Sequence, residues 1–141
     1  MKILIVNGPN LNLIGKREPE IYGNQSLDAY LETVKKRFPD HDIDTFQSNH
    51  EGALIDKVQE AMGKYEGVVM NPGGYAHTSI ALADAVRAIA IPVVEVHISN
   101  IYEREKYRHH SYTAEAAAHT IVGHGLEGYA EAIIFLTSFR L

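Results

Sequence analysis

The stretch Ile3-Leu4-Ile5-Val6 is apolar at every position and stops at Asn7-Gly8-Pro9. Successive side chains of a strand point to opposite faces, so an unbroken apolar run must be covered on both. This segment therefore predicts a central parallel strand with a layer of helices on either side. The pattern returns at 68–70 before Asn71-Pro72-Gly73-Gly74, and a further strand, carrying Glu95 and His97 among its apolar residues, is predicted at 93–98 before Ser99-Asn100. Shorter strand candidates lie at 43–46 and 120–122.

Helical periodicity fills the gaps. Ser26 can cap a helix over 26–38, with Leu27, Tyr30, Leu31, Val34 and Phe38 on one face and Pro39 ending it. A second helix is predicted over 52–62. A third is predicted from Thr78 or Ser79 through Ala90, and a last one over 126–136. The charged segment 102–110 reads as a short helix or a lid. Strands alternating with helices five times predict an α/β fold with an open parallel sheet and right-handed crossovers. The 141 residues hold no repeat or linker, which predicts a single catalytic domain over 1–141 with a polar loop at about 15–25.

Composition removes several classes of function. Without cysteine there is no disulfide, thiolate nucleophile or cysteine–zinc site. Acidic and basic residues are interleaved around a net charge of −5, so no nucleic-acid footprint is expected. No run of eighteen apolar residues occurs, so no membrane span is expected. The short apolar start lacks a cleavage pattern, and a cytoplasmic location is the expectation.

Ligands of open α/β sheets bind outside the carboxyl ends of the strands. Three such ends here carry polar residues: Asn7, Asn10 and Asn12; then Asn71, Gly73, Gly74 and His77; then Glu95, His97, Ser99 and Asn100. Glu95 and His97 are two apart on a strand and share a face. They can satisfy each other as a core pair, or serve as a general acid with its orienting carboxylate. The turn at Ile98 and Ser99 can be ordinary or a backbone nest for a small carboxylate. Gly73 and Gly74 can allow positive φ and close approach, or simply make a turn. Arg104 and Arg108, four apart, would share a helical face and either meet solvent or hold an anionic substrate. His109-His110 lacks completing ligands, so no metal is expected. His124 follows the fifth strand and can approach the crevice, while Asp84 reads as a solvent-facing or interface carboxylate.

Tyr22 stands in the polar stretch GKREPEIYG beside Lys16 and Arg17. A free phenol ionises near pH 10, too high for a base at neutral pH. A guanidinium within reach stabilises the phenolate. A surface tyrosine and an arginine-activated base are both open on these residues alone.

Taken together, NGPNLNLIGKREPEIYG, NPGGYAHTS, EVHISN and EREKYRHHSY resemble the type II 3-dehydroquinate dehydratases over nearly the whole chain. The resemblance implies a flavodoxin-like sandwich with strand order 2-1-3-4-5. It implies anti elimination of water from 3-dehydroquinate to 3-dehydroshikimate through an enolate, with no cofactor and no metal. By the same resemblance Tyr22 is the base and Arg17 its partner. His97 is the general acid, Glu95 orients it, and Asn10 holds a water against the enolate. Asn71, His77 and Arg108 meet substrate hydroxyls, while Ile98 and Ser99 bind its carboxylate. Gly73 and Gly74 match close-approach glycines and Arg104 a lid residue. Asp84 matches a residue reaching a neighbouring subunit's site in a homododecamer of four trimers. Departures from the family's usual pattern fall at Ala76, Tyr102, Glu103 and Tyr107. The rival readings are a flavin-binding module, a receiver-type signalling module and a purely structural protein. The first lacks a Ser/Thr-rich phosphate loop, and the second lacks clustered carboxylates after the first strand.

Overall fold

The computed structural model describes residues 1–16 and 25–138. Five strands run in parallel: β1 (Lys2–Asn7), β2 (Asp42–Gln47), β3 (Gly67–Asn71), β4 (Val93–His97) and β5 (His119–Val122). Their spatial order is β2-β1-β3-β4-β5, as the resemblance implies. Among the described residues the α-helices are α1 (Leu27–Arg37), α2 (Glu51–Glu60), α3 (Ile80–Ala88), α4 (Tyr112–Ala116) and α5 (Glu127–Ser138).

β1 behaves as its sequence requires. Ile3 and Ile5 join a core with Leu31 and Val34 of α1 and Ile133 and Leu136 of α5. Leu4 and Val6, on the opposite face, join Leu54 and Val58 of α2 and Leu82 and Val86 of α3. All four side chains are buried, and two apolar layers clamp one strand. The predicted caps hold: Ser26 Oγ accepts from Ala29 N–H, and Ser79 Oγ from Leu82 N–H.

Two expectations change. The segment 102–110 is not one helix but two 3-10 turns, Ile101–Glu103 and Lys106–Arg108. The chain is extended at Arg104 and Glu105, which separates them and removes the shared helical face. A helix that periodicity did not announce, α4, follows at once, capped by Ser111 Oγ accepting from Ala114 N–H.

The order in which strands are added to the sheet reverses between β1 and β3. β1 connects outward to β2 on one side and pairs with β3 on the other, from Ile3↔Gly67 to Asn7↔Asn71. The crevice at the carboxyl ends of such a pair is the natural ligand site. Gly8 N–H donates to Asn71 O there, joining the two strand ends at 2.8 Å.

Candidate active site

A cavity of about 150 Å³ opens at that crevice, room for one small organic acid. The loop after β1 contributes Asn10, held in the left-handed region at φ 70°. Its N–H donates to Asn49 Oδ1, which fixes the turn. β3 and the turn after it contribute Asn71, Gly73, Gly74 and His77. β4 and its exit contribute His97, Ile98 and Ser99, and the double turn beyond contributes Arg104 and Arg108. Ten of the expected residues thus border one space, from segments far apart in sequence. Arg104 and Arg108 reach it from separate turns.

Gly73 sits at φ +59°, and a Cβ there would lie 3.1 Å from Pro9 O. Glycine is required there. Gly74 differs from the expectation: its φ is not positive and a Cβ would meet nothing within 4 Å. It is the second residue of the 3-10 turn Gly73–His77, in which φ is negative after Gly73.

The Glu95–His97 pair is built as the period of two predicts. Glu95 is fully buried and His97 nearly so. His97 Nε2–H donates to Glu95 Oε2 at 2.6 Å. An ionised carboxylate only accepts, so Nε2 carries the hydrogen and Nδ1 is left for the cavity. Glu95 has two more donors: Ser111 Oγ at 2.6 Å to Oε2, and Thr113 Oγ1 to Oε1. Both lie at the start of α4. A buried carboxylate is tolerable only when its oxygens are paired in this way. Ser111 and Thr113 were missed by sequence reasoning. The signal lay in the paired hydroxyls of HSYT, but nothing local says which carboxylate they face.

His77 lies beside His97, their ring centroids 6.1 Å apart at 25°. Its Nδ1–H donates to His110 O at 2.8 Å, leaving Nε2 as an acceptor. Burial holds His77 below the ordinary imidazole pKa, and the charges of His97 and Arg108 push the same way. The His110 carbonyl opposes this. His77 is therefore a neutral acceptor at pH 7 in this site. The unfolded chain binds a proton on this residue near pH 6.5, while the folded chain resists it. Stability from this residue is present above pH 6.5 and lost as pH falls towards the folded value. An NMR titration should place His77 below 6.5; a midpoint at or above 6.5 would contradict the assigned environment.

Arg108 Nε donates to Glu105 Oε2 at 2.6 Å, and Arg104 Nη1 reaches Ser99 Oγ at 3.5 Å. Two guanidiniums over two imidazoles make the cavity a place for an anion. Other expected residues lie elsewhere. Asp84 is exposed on α3, 3.5 Å from Arg87, away from the cavity of its own chain. His124 is exposed and paired with Glu131, so it does not approach the crevice. Tyr22 and Arg17 lie outside the described residues. Among the described residues no group of three or more His, Asp or Glu is placed to hold a metal ion. No described helix is long and apolar enough to cross a membrane.

The profile of the class II dehydroquinase family matches residues 1–137. The chain belongs to that family. A 3-dehydroquinate dehydratase of Clostridium botulinum strain Hall is 56% identical over 136 residues, covering 95% of this chain and 92% of the relative. The 3-dehydroquinate dehydratase 1 of Corynebacterium efficiens is 51% identical, covering 99% and 94%. The type II dehydroquinase crystal structure from Butyrivibrio crossotus superposes with a TM-score of 0.95 at 46% identity, covering 97% of each chain. A dehydratase-like protein of Bifidobacterium longum is more distant, at a TM-score of 0.74 and 29% identity. As a class II dehydroquinase the chain is an enzyme, and the flavin-binding, signalling and structural readings fall away. Its departures at Tyr102, Glu103, Tyr107 and Ala76 lie off the cavity lining.

Proposed function

We propose that this chain removes water from 3-dehydroquinate to give 3-dehydroshikimate, by anti elimination through an enolate. The observation that carries the reading is the buried Glu95–His97 pair at the cavity of a chain matched to class II dehydroquinases over residues 1–137. Tyr22, with Arg17 holding its phenolate, takes the proton from C2 beside the ketone. The electron pair moves into the enolate, whose oxygen meets a water held by Asn10. Collapse of the enolate breaks the C1–O bond, and His97, entering this step protonated on Nδ1 as well as Nε2 and held so by the Glu95 carboxylate, gives the departing hydroxyl its Nδ1 proton, so water leaves and a neutral imidazole remains. Hydroxide is a poor leaving group, which is why the acid is needed.

Glu95 keeps the His97 ring turned so that Nδ1 serves the leaving group. Asn71, His77 and Arg108 hold substrate hydroxyls, and the Ile98–Ser99 turn takes the carboxylate. Gly73 and Gly74 let the ring approach, and Arg104 belongs to a lid. The exposed Ile80 and Asp84, four residues apart on α3, support a contact face between subunits. On it we place the homododecamer of four trimers, with Asp84 serving a neighbour's site. Light scattering that returned a monomer would contradict that assembly. The unit is a single catalytic domain over 1–141 with its active-site loop at about 15–25, cytoplasmic, and using no cofactor or metal.

The test is direct. Protein mixed with 3-dehydroquinate should raise the ultraviolet absorbance of the conjugated enone product. Chelator should leave the rate unchanged, and borohydride with substrate should trap no lysine adduct. No absorbance rise at micromolar protein would overturn the proposal.

A further inference from the structure

Tyr129 of α5 is the largest fully buried side chain described, and its hydroxyl is spent on two asparagines. Tyr129 O–H donates to Asn7 Oδ1 at 2.6 Å, and Asn71 Nδ2–H donates to Tyr129 Oη at 3.0 Å. Asn71 Oδ1 in turn accepts from Gly73 N–H at 3.1 Å. Asn7 and Asn71 are the last residues of β1 and β3, directly paired in the sheet. Both are buried. The chain Asn7–Tyr129–Asn71–Gly73 thus forms a floor under the cavity, and Asn71 and Gly73 also line it.

The direction of this chain has only one consistent solution. A side-chain amide can be turned over, but a backbone N–H cannot. Gly73 N–H therefore requires Asn71 Oδ1 on its side and puts Nδ2 towards Tyr129. Nδ2 donates, so the Tyr129 oxygen must accept there and send its own hydrogen to the other neighbour. That hydrogen requires Asn7 Oδ1. Each group is keyed by the one before it, and burial makes any reversal leave an unpaired donor.

We infer that Tyr129 is a positioning residue for substrate recognition, acting through the Asn71 carboxamide. It takes one of the two Nδ2 hydrogens of Asn71 and prevents the amide from turning over, so the cavity always meets the same donor. It also braces the Gly73 N–H that the same amide accepts, and with it the turn leading to His77. Burial holds the phenol of Tyr129 far above its ordinary pKa, so it stays a neutral hydroxyl and makes no contact with substrate. This inference rests on Asn71 binding a substrate hydroxyl in the dehydratase reading above.

Tyr129→Phe keeps the ring in the core and removes only the hydroxyl. Three readouts test it. In 15N-labelled protein without substrate, the two Asn71 side-chain protons should be separate and sharp, and broadened or merged in Tyr129→Phe. In turnover of 3-dehydroquinate, Tyr129→Phe should raise KM about tenfold and lower kcat by less, since the contact exists before the chemical step. In an Asn71→Ala background the same substitution should change kcat/KM less than twofold, while its effect on Tm persists. A structural role alone would cost the same in both backgrounds and would not split KM from kcat. Asn7→Ala, which frees the Tyr129 hydrogen, is the second variant should Tyr129→Phe not fold, and it should disturb the same Asn71 signals. Asn71 signals unmoved by either substitution, or equal costs in both backgrounds, overturn the proposal. Absence of turnover in the unmutated protein would instead overturn the dehydratase reading and leave the Asn71 signals to decide this one.

Discussion

Tyr22→Phe should fold, assemble and turn over 3-dehydroquinate at least about a thousandfold more slowly. The proton at C2 must go to a base, and a phenyl ring has none. General base catalysis is worth about 10²–10⁴-fold, and the upper part of that range applies because the acceptor is the phenolate itself. A thousandfold loss corresponds to about 4 kcal/mol of transition-state stabilisation. The effect should fall on kcat, with KM little changed, because the interaction exists only as the proton moves. Arg17 contributes to the same step by stabilising the phenolate. Arg17→Met should therefore slow the reaction and move the limb of the pH–rate profile set by Tyr22 to higher pH. Turnover of Tyr22→Phe within tenfold of the unmutated enzyme, at equal Tm, would remove Tyr22 from the chemistry.

The second large effect should come from the other end of the elimination. His97→Ala should lower kcat about 10²–10⁴-fold, because the C1 hydroxyl then leaves without a proton donor. Glu95→Gln probes the same function without removing the ring. In the native site three donors, from His97, Ser111 and Thr113, converge on one carboxylate. A glutamine offers one acceptor oxygen and turns an amide NH₂ towards groups that already donate. Relief comes by moving the imidazole hydrogen from Nε2 to Nδ1, so that Nε2 accepts from the amide. The carboxylate charge that holds the doubly protonated ring is lost at the same time, which leaves only a neutral imidazole, a far weaker acid, facing the leaving group. Glu95→Gln should cost about a hundredfold in kcat, and the double variant should be no slower than His97→Ala. Additive losses would mean that Glu95 acts independently of His97.

Much of this site is legible before any coordinates. The Ile3–Val6 run dictates a strand covered on both faces, and the cores on its two sides follow. Strand alternation is enough to put Glu95 and His97 together, since two residues on one strand share a face whatever the rest does. The caps at Ser26 and Ser79 are local chemistry and appear where the sequence puts them. What local pattern does not carry is who meets whom across the fold. Ser111 and Thr113 reach Glu95 from sixteen and eighteen residues away, and Tyr129 reaches Asn7 from 122. Each looked like an ordinary polar or aromatic residue because its partner is chosen by the sheet order. α4 escaped notice for a related reason: five residues with one buried side chain, Thr113, make no apolar stripe. Arg104 and Arg108 show the reverse case. Their spacing of four does not put them on one helix, yet both border the cavity, each from its own 3-10 turn on either side of the extended Arg104–Glu105 link.

The claim at the centre is that one substrate ring lies between a base at Tyr22 and an acid at His97. A crystal structure with a substrate analogue bound tests it most directly. The expected result has the Tyr22 oxygen about 3–3.5 Å from the carbon that loses its proton. It has His97 Nδ1 within hydrogen-bond reach of the departing oxygen on the opposite face. A Tyr22 ring remote from that carbon, with the analogue fully seated against Asn71 and Ser99, would contradict it.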